Sequence, residues 1–365
     1  MPLDLQVDGE RWRAHLRKTA ESLPSLVPVV KGNGYGLTRE RLAAESSGLG
    51  VDTLAVGTYA ELQSVQGHFS GDVLVLSPWR PGDHGEPGHP IPGPTGHARP
   101  EEGAALGRGT REDARVIHTV SRPEDLRALS AAGSSRRVVV EVLTSMRRHG
   151  MELVAALAAL RHPGVTVEGV ALHLPMTGDV VGEARAAGTA LRDAGLPTPL
   201  WVSHLAARDC AGLADALGID VRPRVGTALW LGDRAALRPR ALVLDVHAVA
   251  RGDRYGYRGH RASGAGRILV VAGGTAHGIG LEAPKAGTSL VNRGKALALG
   301  ALEAAGRVRS PYRWTGRQLW FAEPPHMHVS MLWLPDGAAP PRVGDELDLD
   351  VRFTTTTFDR VLGLD

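Results

Sequence analysis

Of the basic residues in this chain, thirty-eight are arginine and only four are lysine: Lys18, Lys31, Lys285 and Lys295. A lysine kept in so arginine-rich a composition is a candidate for amine chemistry, and Lys31 has the setting for it. It ends an apolar β-branched run and opens a glycine-rich turn, Val-Pro-Val-Val-Lys31-Gly-Asn-Gly-Tyr35-Gly. An amine at the end of a buried strand loses hydration, its pKa falls, and it can act as a Schiff-base nucleophile. Taken alone, the position suits equally a lysine that snorkels from a strand end into water. Other side chains with chemical capacity follow it: Glu141 and Arg148, His173, His204, Arg224 beside Gly226 and Thr227, Tyr255 and Tyr257, Thr275 and His277, and His326, Met327 and His328. A lone strand histidine is commonly a satisfied core residue, and a strand arginine a salt-bridge partner, so these residues form a site only if a scaffold gathers them.

The scaffold is legible in the rhythm of the chain. Short β-rich apolar runs at 25–31, 53–57, 72–76, 115–120, 137–143, 166–174, 200–205 and 221–225 alternate with segments of helical spacing at 9–22, 39–48, 123–132, 152–161, 179–194 and 207–217. Eight βα repeats predict a TIM-type (β/α)8 barrel, whose chemistry sits at the C-terminal ends of its strands. A Pro-, Gly- and His-rich insertion from 79 to about 113 interrupts the rhythm and reads as a mobile surface loop. Its His84, His89 and His97 are spaced irregularly, which favours a solvated loop over a metal tract. After about Gly232 the pattern changes to strands and turns at 241–249, 266–272, 318–322, 326–334 and 346–354, with helical character near 292–306. The expected division is a barrel over 11–235 and a mainly β domain over 236–365, to which the first strand, 3–7, is added so that residues 1–10 belong with it.

Composition narrows the function classes. A net charge of +3 on 365 residues, without a Lys/Arg-rich run, gives no nucleic-acid or membrane surface. No apolar stretch reaches the length of a membrane span, and the first residues lack the pattern of a secretory leader. One cysteine, Cys210, excludes an internal disulfide framework and reads as a buried apolar filler. A cytoplasmic protein is the expectation.

Val-Val-Lys31-Gly-Asn-Gly-Tyr35-Gly resembles the pyridoxal-phosphate lysine motif of the alanine racemases, fold-type III enzymes with an N-terminal barrel and a C-terminal β domain. The resemblance covers nearly the whole chain. It implies that Lys31 carries the cofactor as a Schiff base and acts as one catalytic base, while Tyr35 hydrogen-bonds the phosphate. Arg222-Pro-Arg224-Val-Gly226-Thr227 is similar to the family's eighth-strand segment, which would set Arg224 against the pyridine nitrogen and the backbone of Gly226 and Thr227 on the phosphate. A guanidinium has donors and no acceptor, so it would face an unprotonated ring nitrogen. His173 resembles the histidine that packs on the cofactor ring, and His204 the one that supports the arginine. Glu141 through Arg148 resembles a stretch in which the arginine binds the substrate carboxylate; Glu141 stands where many relatives carry a carbamylated lysine, and supplies the same negative charge without modification. The family's homodimers share active sites, so a second copy and a small amino acid such as alanine are the implied partners.

The chain departs from the pattern at the second base. Relatives carry a tyrosine where this chain has Thr275, in Val-Ala-Gly-Gly-Thr275-Ala-His277-Gly. A threonine hydroxyl is too weak an acid for the task, which leaves His277 as the favoured replacement, with His326 and His328 as further candidates. His277 can also be simply structural. Glu-Pro-Pro-His326-Met327-His328 resembles the substrate-pocket segment, and Tyr255 another tyrosine near the site. Residues around Arg208 replace an expected Asn-Ser, and the chain's last segment has threonines where a phosphate-binding tyrosine is expected. Two other functions remain open on these residues: a fold-type III lyase of the D-threonine aldolase or D-serine dehydratase type with His326 and His328 on a metal, or a pyridoxal-phosphate-binding protein without racemase activity.

Overall fold

The computed structural model describes residues 2–81, 113–131, 136–196, 198–281 and 308–365, organised as two compact units: residues 14–232, and residues 1–13 together with 233–365. The His84, His89 and His97 stretch and the expected helix near 292–306 lie outside the described residues.

After β1 (Leu3–Val7) and α1 (Gly9–Ser22), the chain enters a run of parallel strands. These are β2 (Val27–Pro28), β3 (Thr53–Val56), β4 (Asp72–Pro78), β5 (Val116–Val120), β6 (Arg136–Val142), β7 (Val165–Leu172), β8 (Leu200–Val202) and β9 (Val221–Val225). They hydrogen-bond in the order β2-β9-β8-β7-β6-β5-β4-β3, and the parallel bridge from Val29 to Ala55 brings β2 against β3. The result is the expected (β/α)8 barrel. Helices α2 (Arg39–Gly48), α3 (Leu62–Gln66), α4 (Pro123–Ala131), α5 (Leu153–Ala159), α6 (Val180–Asp193) and α7 (Ala207–Leu217) return the chain between strands, and α8 (Thr227–Trp230) follows the last one.

Strand alternation decides what the barrel encloses. Val27, Val29, Ala55, Leu74, Ile117, Val139, Ala171 and Trp201 pack together as its interior. The end where the strands begin is sealed by ion pairs. Arg137 bridges Asp72 at 2.6 Å and Glu168 at 2.7 Å, and Arg222 lies 4.3 Å over the Trp201 ring while pairing with Asp52. On β6 the same alternation that turns Arg137 to one end and Val139 to the core turns Glu141 to the other end, where it is buried. Arg222 and Arg224 divide the two ends of β9 in the same way.

The second unit is an antiparallel construction. It comprises β10 (Leu237–Val249), the short pair β11 (Arg254–Tyr255) and β12 (His260–Arg261), β13 (Gly266–Ala272), β14 (Arg309–Trp314), β15 (Arg317–Phe321), β16 (Val329–Pro335), β17 (Glu346–Leu349) and β18 (Arg360–Leu362). The main sheet runs β13-β16-β15-β14-β17-β10-β1-β18, and because β10 also pairs with β13, six strands close on themselves. As expected, β1 joins this sheet, antiparallel to β10 and parallel to β18. Its core holds Leu3, Ala241, Val243, Leu269, Val271, Tyr312, Leu332 and Leu347. Buried Tyr312 donates to the carbonyls of Ala272 and Gly273, both at 2.9 Å, which anchors the turn after β13. Two expectations need correction. Residues 326–328 precede β16 as a loop, and β17 ends at Leu349, well short of 354.

Candidate active site

The turn after β2 is built from backbone that few residues tolerate. Gly32, Gly34, Tyr35, Gly36 and Thr38 all have positive φ. At Gly34 a Cβ would lie 2.6 Å from the Arg39 nitrogen, so glycine is required there. The left-handed Tyr35 turns its ring inward, where it is 4% exposed. Its hydroxyl occupies the space of a side chain at Gly226: a Cβ on that residue would sit 2.1 Å from the Tyr35 oxygen. Burial, followed by the nearby Glu61, pushes the Tyr35 phenol up to about 12, so it remains a hydrogen-bond donor at neutral pH. The Trp230 indole donates to the Val29 carbonyl at 2.8 Å and ties α8, with Gly226 and Thr227 at its start, to the strand that carries Lys31.

Glu61 holds this turn and was missed in the sequence. Its carboxylate accepts from the backbone N–H of Gly32 at 2.8 Å and of Gly57 at 2.6 Å, fastening the residue after Lys31 to the end of β3. The signal was available: Thr58 and Glu61 form the T-x-x-E capping box that follows an apolar run.

Lys31, Glu141, Arg148, His173 and Arg224 act on one another electrostatically at the barrel mouth. Loss of hydration, then the charges of Arg148 and Arg224, lower the Lys31 ammonium pKa; Glu61 opposes them. Burial and the same two guanidinium groups lower His173 to about 3, so its ring is neutral. Arg224 is held down to about 10 by burial, with Glu141 acting to raise it. Glu141 is 2% exposed, and burial raises its pKa against the pull of Arg224, Arg148 and Arg80.

Two atoms in this cluster stand out. Arg224 donates from one terminal nitrogen to the Leu172 carbonyl at 2.9 Å, yet its buried Nε has no hydrogen-bond partner among the described residues. The same holds for Glu141 Oε2. Buried polar groups are rarely left this way, and both belong to the cluster around Lys31. An unpaired donor on Arg224, a phenol donor against a Cβ-less glycine, and an amine with lowered pKa form a donor set that fits a pyridine nitrogen, a phosphate and an aldehyde, the three recognition elements of pyridoxal phosphate.

His173 follows β7 and meets His204 edge-on, with ring centroids 5.4 Å apart. Its carbonyl accepts from Thr144 Oγ1 at 2.7 Å. His204 has positive φ, and its Nδ1 bonds the Leu174 carbonyl at 2.7 Å. Arg224 is held from one terminal nitrogen by the Leu172 carbonyl.

In the second unit, Thr275, Ala276 and His277 form one turn of 3-10 helix after β13. The Thr275 side chain is exposed and His277 is buried. Both His277 ring nitrogens are engaged: Nδ1 accepts from the Gly274 N–H at 3.3 Å, and Nε2 faces Asp359 Oδ1 at 3.2 Å. A buried imidazole engaged at both nitrogens has the bonding of a structural brace. Met327 is exposed, and Tyr255 lies against Trp333, with burial and then Glu323 raising its phenol pKa. His326 is paired with Glu323, and among the described residues no group of three His, Cys, Asp or Glu side chains is placed to hold a metal ion.

Comparison with known proteins follows this geometry. The family model described as alanine racemase, N-terminal domain, matches residues 7–87 and 105–232, more than half of the chain. Among solved structures, the alanine racemase of E. faecalis is similar with a TM-score of 0.66 at 19% identity, over 95% of this chain and 88% of that one. The biosynthetic alanine racemase of Pseudomonas aeruginosa is similar with a TM-score of 0.63 at 20% identity, over 96% and 91%. An alanine racemase from Bartonella henselae with covalently bound pyridoxal phosphate gives 0.66 at 16%, over 96% and 91%. No curated protein matches the chain in sequence.

Proposed function

Because the chain belongs to the alanine racemase family, we propose that it is a pyridoxal-phosphate-dependent racemase of a small amino acid, interconverting L- and D-alanine or a close analogue. The observation that carries the reading is the pair of buried atoms in the cluster around Lys31, Arg224 Nε and Glu141 Oε2, that have no hydrogen-bond partner among the described residues. Lys31 would hold the cofactor covalently, Arg224 would face its ring nitrogen, His173 its ring, and Tyr35 with the backbone of Gly226 and Thr227 its phosphate. When bound, the cofactor supplies the electron sink that makes a Cα–H bond acidic.

The chain's own residues do the rest. Arg148 offers a planar two-donor fork to the substrate carboxylate. Glu141 positions that fork and offsets part of the positive charge that Arg148 and Arg224 bring together. Its carboxylate does so without the chemical modification a lysine would need. Lys31 Nζ, with its lowered pKa, takes or returns a proton on one face of Cα. Tyr35, protonated at neutral pH, donates to the phosphate. His173 is neutral, so it packs on the ring without adding charge.

The proposed assembly is a homodimer with shared active sites, in the cytoplasm, with an amino-acid substrate and no nucleic-acid or membrane partner. Among the described residues no helix is long and apolar enough to cross a membrane. The test is incubation of the cofactor-loaded protein with L- and D-amino acids in deuterated water. Cα exchange with formation of the opposite enantiomer supports racemisation. Exchange with retention marks a one-base enzyme, and no exchange with any amino acid removes the racemase reading.

A further inference from the structure

Lys31 stands where two guanidinium groups and the loss of hydration all disfavour a charged amine. An amine that must both take and hold a proton near neutrality needs an opposing charge close by. Of the charged groups that act on Lys31, Arg148 and Arg224 oppose its ammonium form and Glu61 supports it. His173 is neutral and Tyr35 protonated, so neither adds charge.

The barrel shows how that carboxylate is placed. Glu61 ends the single turn of 3-10 helix, Tyr59–Glu61, that follows β3. Its Oε2 accepts from the N–H groups of Gly57 at 2.6 Å and Thr58 at 3.3 Å, which is what a capping box requires. A cap does not require the other oxygen, yet Oε1 accepts from the Gly32 N–H at 2.8 Å, twenty-nine residues away in sequence. The peptide after Lys31 is gripped from its other side as well. Arg39 on α2 donates to the Gly32 carbonyl from one nitrogen and to Ser64 Oγ at 2.7 Å from another, and Ser64 Oγ donates to the Glu61 carbonyl at 2.7 Å. Gly32 has φ +62°, a conformation that glycine tolerates and these bonds hold. At Gly57 a Cβ would fall 3.0 Å from Glu61 Oε2 and 3.2 Å from Lys31 Cβ, so the carboxylate and the lysine stem both close on this glycine.

We propose that Glu61 is a positioning residue for Lys31: it fixes the turn that presents the amine, and its negative charge, set against Arg148 and Arg224, keeps the amine able to carry a proton. Its role is exerted through Lys31 and lies wholly within the barrel unit. Without this carboxylate the two guanidinium groups would act unopposed, and the amine would be neutral over a wider pH range, readier to attack an aldehyde but less able to return a proton. Which reaction the amine performs rests on the racemase reading above; the grip on the turn and the charge beside Lys31 do not.

The experiment titrates Lys31 in the cofactor-free full chain. The chain is trace-labelled with acetic anhydride at a series of pH values, and the Lys31 peptide is quantified by mass spectrometry, with the exposed Lys18 as internal reference. Only the neutral amine reacts, so the midpoint reports its titration. E61Q keeps an acceptor for the Gly32 N–H but has no charge, and its midpoint is expected about one pH unit below wild type. E61D restores the charge and is expected between the two. R39M loosens the same turn from the carbonyl side with Glu61 still charged, and its midpoint is expected to stay with wild type. Equal midpoints in E61Q and wild type, an E61D midpoint no higher than that of E61Q, or an R39M midpoint as low as that of E61Q would each overturn the role of the charge. The grip on the turn is read by amide hydrogen exchange: the Gly32 N–H is expected to exchange about tenfold faster in E61A, and unchanged exchange would overturn it. A wild-type chain that develops no visible absorbance with pyridoxal phosphate removes the cofactor reading, while the midpoints and the exchange rates still decide the role of Glu61.

Discussion

Two regions of this chain gather charged and imidazole groups, and they engage them to different extents. At the barrel mouth, Arg224 Nε and Glu141 Oε2 are buried without partners among the described residues. In the β unit His277 has both nitrogens bonded, Glu323 uses both oxygens, and Tyr312 donates to two carbonyls, while Arg240 Nε is the buried atom left without a partner among that unit's described residues. Polar groups bonded within the protein contribute to stability, whereas buried groups left open cost stability and persist where a ligand completes them. The contrast separates recognition at the barrel mouth from bracing in the β unit, where His277 is bonded at both nitrogens and His326 is paired with Glu323.

The comparison breaks most sharply at Lys31. Lys31→Ala should abolish the visible absorbance of the bound cofactor and lower turnover by about a thousandfold, with little change in unfolding. A band that survives would overturn the assignment of the covalent lysine. In the β unit, Tyr312→Phe should do the reverse, costing about 1–3 kcal/mol in urea unfolding through the lost hydrogen bond to the Ala272 carbonyl, while Ser330 Oγ still donates to Gly273. Glu141→Gln tests the barrel side more finely. Cofactor absorbance should stay intact while KM rises about tenfold, equivalent to about 1.4 kcal/mol; unchanged kinetics would remove Glu141 from substrate positioning.

The smallest effect is expected at Asp359→Asn, about 1 kcal/mol from the weakened link to His277, with Cα exchange unaffected. Burial alone would raise the Asp359 carboxyl, but bonds from the Leu3 N–H and His277 outweigh it and hold it below its ordinary value. A carboxyl depressed in the folded state stabilises above its unfolded pKa and loses that contribution as pH falls through the folded value. The stability gap between wild type and D359N should therefore be full at neutral pH and close in acid, as denaturant titrations at several pH values would record.

Much of the barrel could be read from the chain because its strands are nearly uninterrupted apolar runs between amphipathic segments. α1, α2, α7 and β9 fall at the expected bounds. The β unit was harder to read. β14, Arg-Ser-Pro-Tyr-Arg-Trp, carries proline and charge, and β18 spans three residues; neither shows the period of a half-buried strand. The segment 326–334 looked like one strand because His-Met-His alternates with apolar residues. Its first part is instead held as a loop by the turn at 274–276 and by Glu323. Glu61 was legible only as the T-x-x-E capping box it forms with Thr58; its bond to the Gly32 N–H, twenty-nine residues away, depends on the tertiary structure.

The candidate lysine, the Gly-Asn-Gly-Tyr turn and the barrel were all written in residue types and local periodicity, because amine chemistry, left-handed turns and strand burial are local properties. What each histidine bonds to was not. His277 and His326 look alike as letters. The difference lies in Asp359, eighty-two residues along the chain from His277, and in a buried Glu323 that spends one hydrogen bond on His326 and the other on Tyr257. Protonation and access depend on what packs against a ring, and only the tertiary structure brings those groups together.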